Sequence, residues 1–399
     1  MSAAWLAADE AARRLRVSRA TLYAYVSRGL IRSQAVPGTS RERAYAGDDV
    51  ERLRRRTEER RHPDKAAAHA LQWGMPILES SIALIDGRAL YYRGHDAAAL
   101  ARTRSLEEVA ALIWLGRLDA RLATVRRANA TIKAPPEEPG FAARAQVMLA
   151  REAARDPLAH DLRRDAVALC GWRLLHLLAA AATRTTRIAP TIDAALARTW
   201  STTTGAEVLR RTLVLCADHE LNVSSFTARC VASAGSSPYA VVAAGLAALE
   251  GTRHGGAGAR VESMLASLRR ESRLRSALAA RLRRGEPVEG FGHPLYPAGD
   301  PRARTILAQL QEAYPRSAEL AFALAFADAA ADTVREQPNL DFALATVARV
   351  LRLPPESPLM LFAIGRTIGW IGHAIEQYET GQLIRPRAKY VGVVPQAAD

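Results

Sequence analysis

Cysteine and lysine are both scarce in this chain of 399 residues, three of each. The cysteines, Cys170, Cys216 and Cys230, are odd in number and include no Cys-x-x-Cys pair. That argues against a disulfide framework or a zinc knuckle, and they read as buried thiols. Long apolar runs are missing too. The best candidate, residues 359–375, is interrupted by Arg366 and His373 before it reaches the ~18 residues a membrane span needs, so no span is expected. The start of the chain, Met1 to Trp5 followed by Asp9 and Glu10, has neither a basic n-region nor an apolar h-region. No signal peptide is expected, and a cytoplasmic location follows as an expectation.

What is present is globular in profile, with 49% hydrophobic and 24% charged residues, 25 glycines and 20 prolines. At roughly 150 residues per domain the length predicts two or three domains. Because lysine is rare, arginine carries almost all of the 55 basic charges and the formal net charge of +14. Such a balance suits nucleic acid or polyanionic small ligands without separating the two. Apolar residues recur at helical spacing, as in Val109, Ala110, Leu112, Ile113 and Leu115, or Val241, Ala244, Leu246 and Leu249, so the fold is predicted to be mainly α. The clearest strands flank Asp86-Gly87 between Ser81 and Tyr92, which reads as a short hairpin.

A charged stretch ending in His62-Pro63-Asp64-Lys65 suggests a boundary, with a first domain at 1–62 and a second at 63–399. Up to Asp64, fourteen arginines face nine acids, a net +5, against +9 over the other 335 residues. This concentration suits a small module that meets a polyanion. Asp9 is expected to cap a helix running to Leu15, and Ser18 to cap a second from Arg19 to about Ser27 after a tight turn. Ala11, Leu15, Val17, Leu22 and Val26 would make its core, leaving Arg19, Thr21, Tyr23 and Ser27 outside. A Pro-Gly-Ser stretch with Arg41 and Arg43 and a charged helix from Asp48 complete the order helix, turn, helix, wing, helix. Carried by TLYAYVSRGLI and RAYAGDDVERL, this order resembles the winged helix-turn-helix of the MerR and excisionase type. The resemblance implies duplex DNA as a partner, with Arg19, Thr21 and Tyr23 toward the major groove and Arg41 and Arg43 on phosphates. A module for assembly or domain docking is the alternative.

In the second domain three histidines sit in unusual settings: His219 in DHELNVSS, His254 in RHGGAG and His293 in GFGHPLYP. Glycines beside two of them allow backbone to approach a ligand. None has a second histidine or a cysteine at ligand spacing, so no metal is expected. Further on come Arg302 in DPRAR, Asp341 in PNLDF, Arg366 in GRTIGWIGH and Arg385 in RPR. Arginine forks hold carboxylates, imidazoles polarise carbonyl oxygens, and a carboxylate can take a proton from carbon once the enolate oxygen is stabilised.

The motifs HELN, HGG, GFGHxxYxxxDPRA, PNxDF, GRTIGWIGH and RPRxxYxG, in that order from about Met75 to Gly392, resemble citrate synthases. The resemblance implies an all-α fold with a large subdomain (about 63–258 and 352–399) and a small one (about 259–351) that close over substrate. It also implies an obligate homodimer with shared active sites. Asp341 would take a methyl proton from acetyl-CoA, His254 would stabilise the enol oxygen, and His293 would polarise the ketone of oxaloacetate. His219, Arg302 and Arg366 would hold the oxoacid, with Arg385 reaching in from the neighbouring subunit. Val288, Gly290 and Gly292 would meet the adenine of CoA, which is substrate and product rather than a resident cofactor. Two departures stand beside this centre: Pro294 where bacterial members usually have arginine, and Gly258 where asparagine is common. Propionyl-CoA differs from acetyl-CoA by one methylene, worth only ~1 to 3 kcal/mol in a pocket, so 2-methylcitrate synthesis is an open alternative. So is a transcription regulator that uses the synthase fold as a metabolite sensor.

Overall fold

The computed structural model describes residues 5–36, 42–51, 53–54, 78–118, 137–138, 140–185, 191–200 and 202–393. The chain divides into two compact units, Met1–Glu79 and Ser80–Asp399. The expected boundary near residue 62, like the phosphate candidate Arg41, lies outside the described residues.

In the first unit β1 (Trp5–Ala7) leads into α1 (Ala8–Leu15) and α2 (Arg19–Ser27), followed by β2 (Ser33–Ala35) and β3 (Arg43–Ala46). The strands form an antiparallel sheet in the order β1-β3-β2, with Leu6 opposite Tyr45 and Gln34 opposite Ala44. Ser18 caps α2 as expected, its hydroxyl accepting the Thr21 N–H. Asp9 does not cap α1. The cap position is Ala7, and Asp9 stands in the first turn, where it takes the Arg19 guanidinium on both carboxylate oxygens at 2.6 and 2.5 Å. An acid is favoured there by the helix dipole, and an arginine fork ten residues away satisfies it better than the helix's own amides. Ala11, Leu15 and Leu22 are buried with Val17 and Val26 packed against them. Leu6, Ile31, Tyr45 and Val50 complete this core; helical periodicity did not reveal the first three because they come from strands and a bend, and Val50 sits in the charged helix that follows β3.

The second unit opens on the expected hairpin, β4 (Ala83–Ile85) with β5 (Leu90–Tyr92), extended by β6 (His95–Asp96). Helices follow: α3 (Ala97–Thr103), α4 (Leu106–Leu115), α5 (Phe141–Ala153), α6 (Arg164–Thr183), α7 (Ile192–Thr199), α8 (Ala206–Cys216), α9 (Val223–Ser233) and α10 (Pro238–Leu249). Then come α11 (Ala257–Leu268), α12 (Leu274–Arg283), α13 (Pro301–Ala313), α14 (Ala318–Val334), α15 (Leu340–Leu351) and α16 (Ser357–Thr380). Many starts are written locally: a capping box of Ser105 and Glu108 on α4, Asn222 on α9, Ser237 with Pro238 on α10, and Asp300 with Pro301 on α13.

α16 is the axis of this unit, packed on α4, α6, α8, α9, α10, α11 and α15. Three glycines along it let neighbours approach: a Cβ at Gly365 would meet the Leu213 carbonyl at 2.6 Å and one at Gly372 the Ile113 side chain at 2.6 Å, while one at Gly369 would collide with Asp218. α6 and α16 are each long and apolar enough to cross a membrane by length and composition, contrary to the sequence expectation. Both are instead largely buried by other helices, which explains their hydropathy. Cys170 and Cys216 are buried as expected, but Cys230 is only half-buried.

Candidate active site

The candidate residues sit at helix ends. His219 follows α8, His254 precedes α11, His293 lies in the loop before α13, and Arg302 and Asp341 occupy the first turns of α13 and α15. Asp300 joins two of these. Its carboxylate caps α13 through the Arg302 N–H (3.0 Å), pairs with the Arg302 guanidinium at 3.0 and 2.7 Å, and accepts the Leu340 N–H at 3.2 Å. Burial opposes the charge on Asp300, but Arg302 and these hydrogen bonds hold its carboxyl below the ordinary range.

Across the same junction Asn339 caps α15, accepting the Asp341 N–H (3.0 Å), while its side-chain amide donates to the Gly292 carbonyl (3.1 Å). The Gly292 N–H donates to Gln337 and the Asn339 N–H to Gly290 (both 2.9 Å), so the His293 loop is stitched to the start of α15. Gly290 and Gly292 have φ of +85° and +75°, and a Cβ on either would collide with Phe342 or Glu336. Val288 packs on the core. In the chain itself Gly290 and Gly292 therefore position His293 and Asp341.

The rings of His219 and His293 stand edge to face at 5.0 Å, with Tyr296 beside both. The Tyr296 hydroxyl shares a 3.1 Å hydrogen bond with His219 Nε2, and Arg302 lies 5.8 Å over its ring. His254 Nε2 is 2.9 Å from Ser224 Oγ, which in turn is 3.0 Å from Asn222 Oδ1. Phe362 separates His254 from Arg366, meeting the imidazole edge to face and the guanidinium at 4.7 Å. Arg366 is fully buried. Its Nε donates to the Cys216 carbonyl (2.9 Å), while both terminal nitrogens have no partner among the described residues. An uncompensated guanidinium in such a place is costly unless something anionic arrives.

Burial pushes His254 and His293 down to about 4, with Arg366 and Arg302 respectively adding to the effect. His219 is likewise held well below its ordinary value by burial, Arg302, Arg366 and its neighbour His293. All three imidazoles are thus neutral at pH 7 and serve as hydrogen-bond partners rather than cations. Burial raises Asp341 to about 6, although Arg302 pulls the other way. The helix dipole at the start of α15 also favours its ionised form, by about 0.3–1 kcal/mol, which desolvation outweighs. Among the described residues no hydrogen bond reaches the Asp341 carboxylate. Two arginines link the set electrically: Arg302 acts on His219, His293, Asp341 and Arg366, and Arg366 on His219 and His254.

The structure thus gathers His219, His254, His293, Arg302, Asp341 and Arg366. Arg385 stands apart, exposed on the segment after α16. Tyr296, Asp300 and Ser224 lie within the same motifs, where sequence alone assigns them no role. Their only sequence signal is proximity to a histidine or arginine. Gly258 touches Pro358, whose Cβ would lie 3.1 Å from an added Cβ, so a small residue there goes with that proline.

The family model described as "Citrate synthase, C-terminal domain" matches residues 70–387. The chain belongs to the citrate synthase family. A second model, "MerR HTH family regulatory protein", matches residues 6–57. A citrate synthase of Haloferax volcanii is 32% identical over 360 residues, covering 80% of this chain and 94% of that protein. A 2-methylcitrate synthase of Shewanella oneidensis is 32% identical over 193 residues, 48% of this chain and 52% of that protein. Among solved structures, citrate synthase from Thermotoga maritima MSB8 superposes with a TM-score of 0.65 at 26% identity, over 82% of this chain and 96% of that one. The chain spans about half the length of the curated relatives it matches first. The mainly α fold of the synthase unit and the helix-turn-helix ahead of it agree with the sequence reading.

Proposed function

We propose that the second unit is an acyltransferase that condenses acetyl-CoA with oxaloacetate to citrate and CoA. The observation that carries this reading is a buried guanidinium with two open nitrogens beside neutral imidazoles and an unpartnered carboxylate of raised proton affinity. Arg366, with Arg302 and His219, takes the dicarboxylate. Asp341 removes a methyl proton from acetyl-CoA while His254 donates a hydrogen bond to the oxygen that becomes enolic, which lowers the cost of the carbanion equivalent. His293 polarises the ketone as the carbon–carbon bond forms, and water then cleaves the citryl thioester to release CoA.

As it stands the Ser224 hydroxyl donates to Asn222 Oδ1 (3.0 Å), so its oxygen accepts from His254 Nε2. For Nδ1 of His254 to carry the proton that meets the enol oxygen, that hydroxyl must turn from Asn222 to donate to Nε2, leaving Asn222 Oδ1 the Ser225 N–H at 2.9 Å. Val288, Gly290 and Gly292 are proposed to meet the adenine of CoA, and Arg385 to reach the site of a neighbouring subunit in a homodimer. The subdomains at about 63–258 with 352–399 and at 259–351 would close to exclude water from the enol. The protein would act in the cytoplasm. 2-Methylcitrate synthesis from propionyl-CoA is the second reading, favoured by the Shewanella relative.

The module at 1–62 is proposed to bind duplex DNA, which the MerR match supports. There Tyr23 is exposed, while Arg19 is held by Asp9, Thr21 by Ser18, and Arg43 donates to Ser33. Arg41 would add a phosphate contact. Coupling of the two units would make the synthase fold a metabolite sensor. Release of free CoA thiol from acetyl-CoA and from propionyl-CoA, each with oxaloacetate, tests the enzymatic reading. Release with neither refutes it.

A further inference from the structure

Behind the candidate site lies a buried acid and base that the reaction does not use. Asp218 and His373 are both fully buried, and His373 Nε2 lies 3.2 Å from Asp218 Oδ1, out of line for a full hydrogen bond. The other oxygen, Oδ2, accepts the Glu220 N–H at 3.1 Å, and Glu220 holds a left-handed φ of +52°. The carboxylate occupies a notch in α16 that exists because residue 369 is glycine: a Cβ there would collide with Oδ1. The Gly369 N–H donates to the Ala217 carbonyl at 2.9 Å, pinning the same loop. Arg366 lies three residues before this notch and His373 four after it, so both stand on the helix face that Asp218 meets. Asp218 acts electrostatically on Arg366 without forming an ion pair with it.

We propose that His373 is a positioning residue. It retains the Asp218 carboxylate on its own side of the notch, and so keeps the terminal nitrogens of Arg366 open for a carboxylate-bearing ligand. The physical problem is competition. Asp218 is an unscreened anion in the low-dielectric interior beside an arginine fork with two vacancies, and a carboxylate that turned into that fork would neutralise it before any ligand arrived. The Glu220 N–H holds Oδ2, while the His373 imidazole stands 3.2 Å from Oδ1, the oxygen nearer α16, and fills the space beside it. This inference rests on the oxoacid reading of Arg366 given above.

The test is a double-mutant cycle in the full-length protein, read as KM for oxaloacetate, kcat, and oxaloacetate affinity by calorimetry. His373→Leu is expected to raise KM and the dissociation constant at least tenfold with kcat within about threefold. Asp218→Asn removes the competing charge and is expected to leave affinity unchanged or tighter. In the Asp218→Asn background, His373→Leu should then cost less than twofold. His373→Gln, which can still donate to Asp218, should stay within threefold of the parent and serves if the leucine variant does not fold. A merely structural histidine would not be rescued by Asp218→Asn. Equal losses in both backgrounds, or no loss in either, overturn the proposal. If the parent releases no thiol yet binds oxaloacetate, the condensing activity fails while the cycle is still read by calorimetry. If the parent does not bind oxaloacetate, the positioning role falls with it.

Discussion

Replacing Asp341 by asparagine should make the protein more stable and at the same time inactive, and the size of the gain follows from the site. The carboxyl titrates at about 6 instead of near 3.8 because burial penalises its charge. With each tenfold in proton affinity worth about 1.4 kcal/mol, carrying it ionised at pH 7.5 costs about 3 kcal/mol of folding free energy. A group whose folded pKa is raised stabilises fully below its unfolded value, and that contribution disappears as pH rises through the folded value. The penalty is therefore absent near pH 4 and complete above about 7. Asparagine has nearly the same shape and no charge, and among the described residues the native carboxylate has no hydrogen bond to lose. In a unit of about 320 residues, 3 kcal/mol corresponds to a rise in Tm of about 4 °C at pH 7.5 and almost none at pH 4. Scanning calorimetry of both proteins across that range measures it. Thiol release should drop by about 10²–10⁴, and the parent's kcat/KM should climb with pH through about 6 as the base ionises. A gain of equal size at pH 4 and 7.5, or no gain at either, would refute the claim that desolvation sets the base.

Ser224→Ala should lower kcat by about one to two orders of magnitude with little change in stability, since the neutral imidazole of His254 loses the partner that selects its tautomer. Steady-state rates with saturating oxaloacetate check this. Deleting residues 1–62 should leave thiol release intact and abolish salt-sensitive binding to duplex DNA, measured by fluorescence anisotropy at low salt. Asp9→Asn should free the Arg19 fork and tighten DNA binding, with the slope of log affinity against log salt steepening by about one. An unchanged slope would mean that Arg19 faces away from the duplex.

How much of this could be read from the chain depends on whether the determinant was local. Ser18 stands next to the amide it satisfies, so α2 was legible from its cap. The hairpin around Asp86-Gly87 was legible for the same reason. Asp9 misled because its partner Arg19 is ten residues away, on the next helix. The hydropathy of α16 was underestimated because Arg366 and His373 look like interruptions, whereas both are buried among the helices around it.

The identity and order of His219, His254, His293, Arg302, Asp341 and Arg366 were determined by the sequence alone, as was the presence of a helix-turn-helix before them. Only the tertiary structure decided that Arg302 is already paired with Asp300 while Arg366 keeps two nitrogens open, that three imidazoles are neutral, and that Asp341 holds its proton unusually well. Those properties come from desolvation and from charges brought together across up to 150 residues of chain, such as Arg366 against Cys216. No local pattern encodes them, because the energy of a charge depends on everything that surrounds it in space.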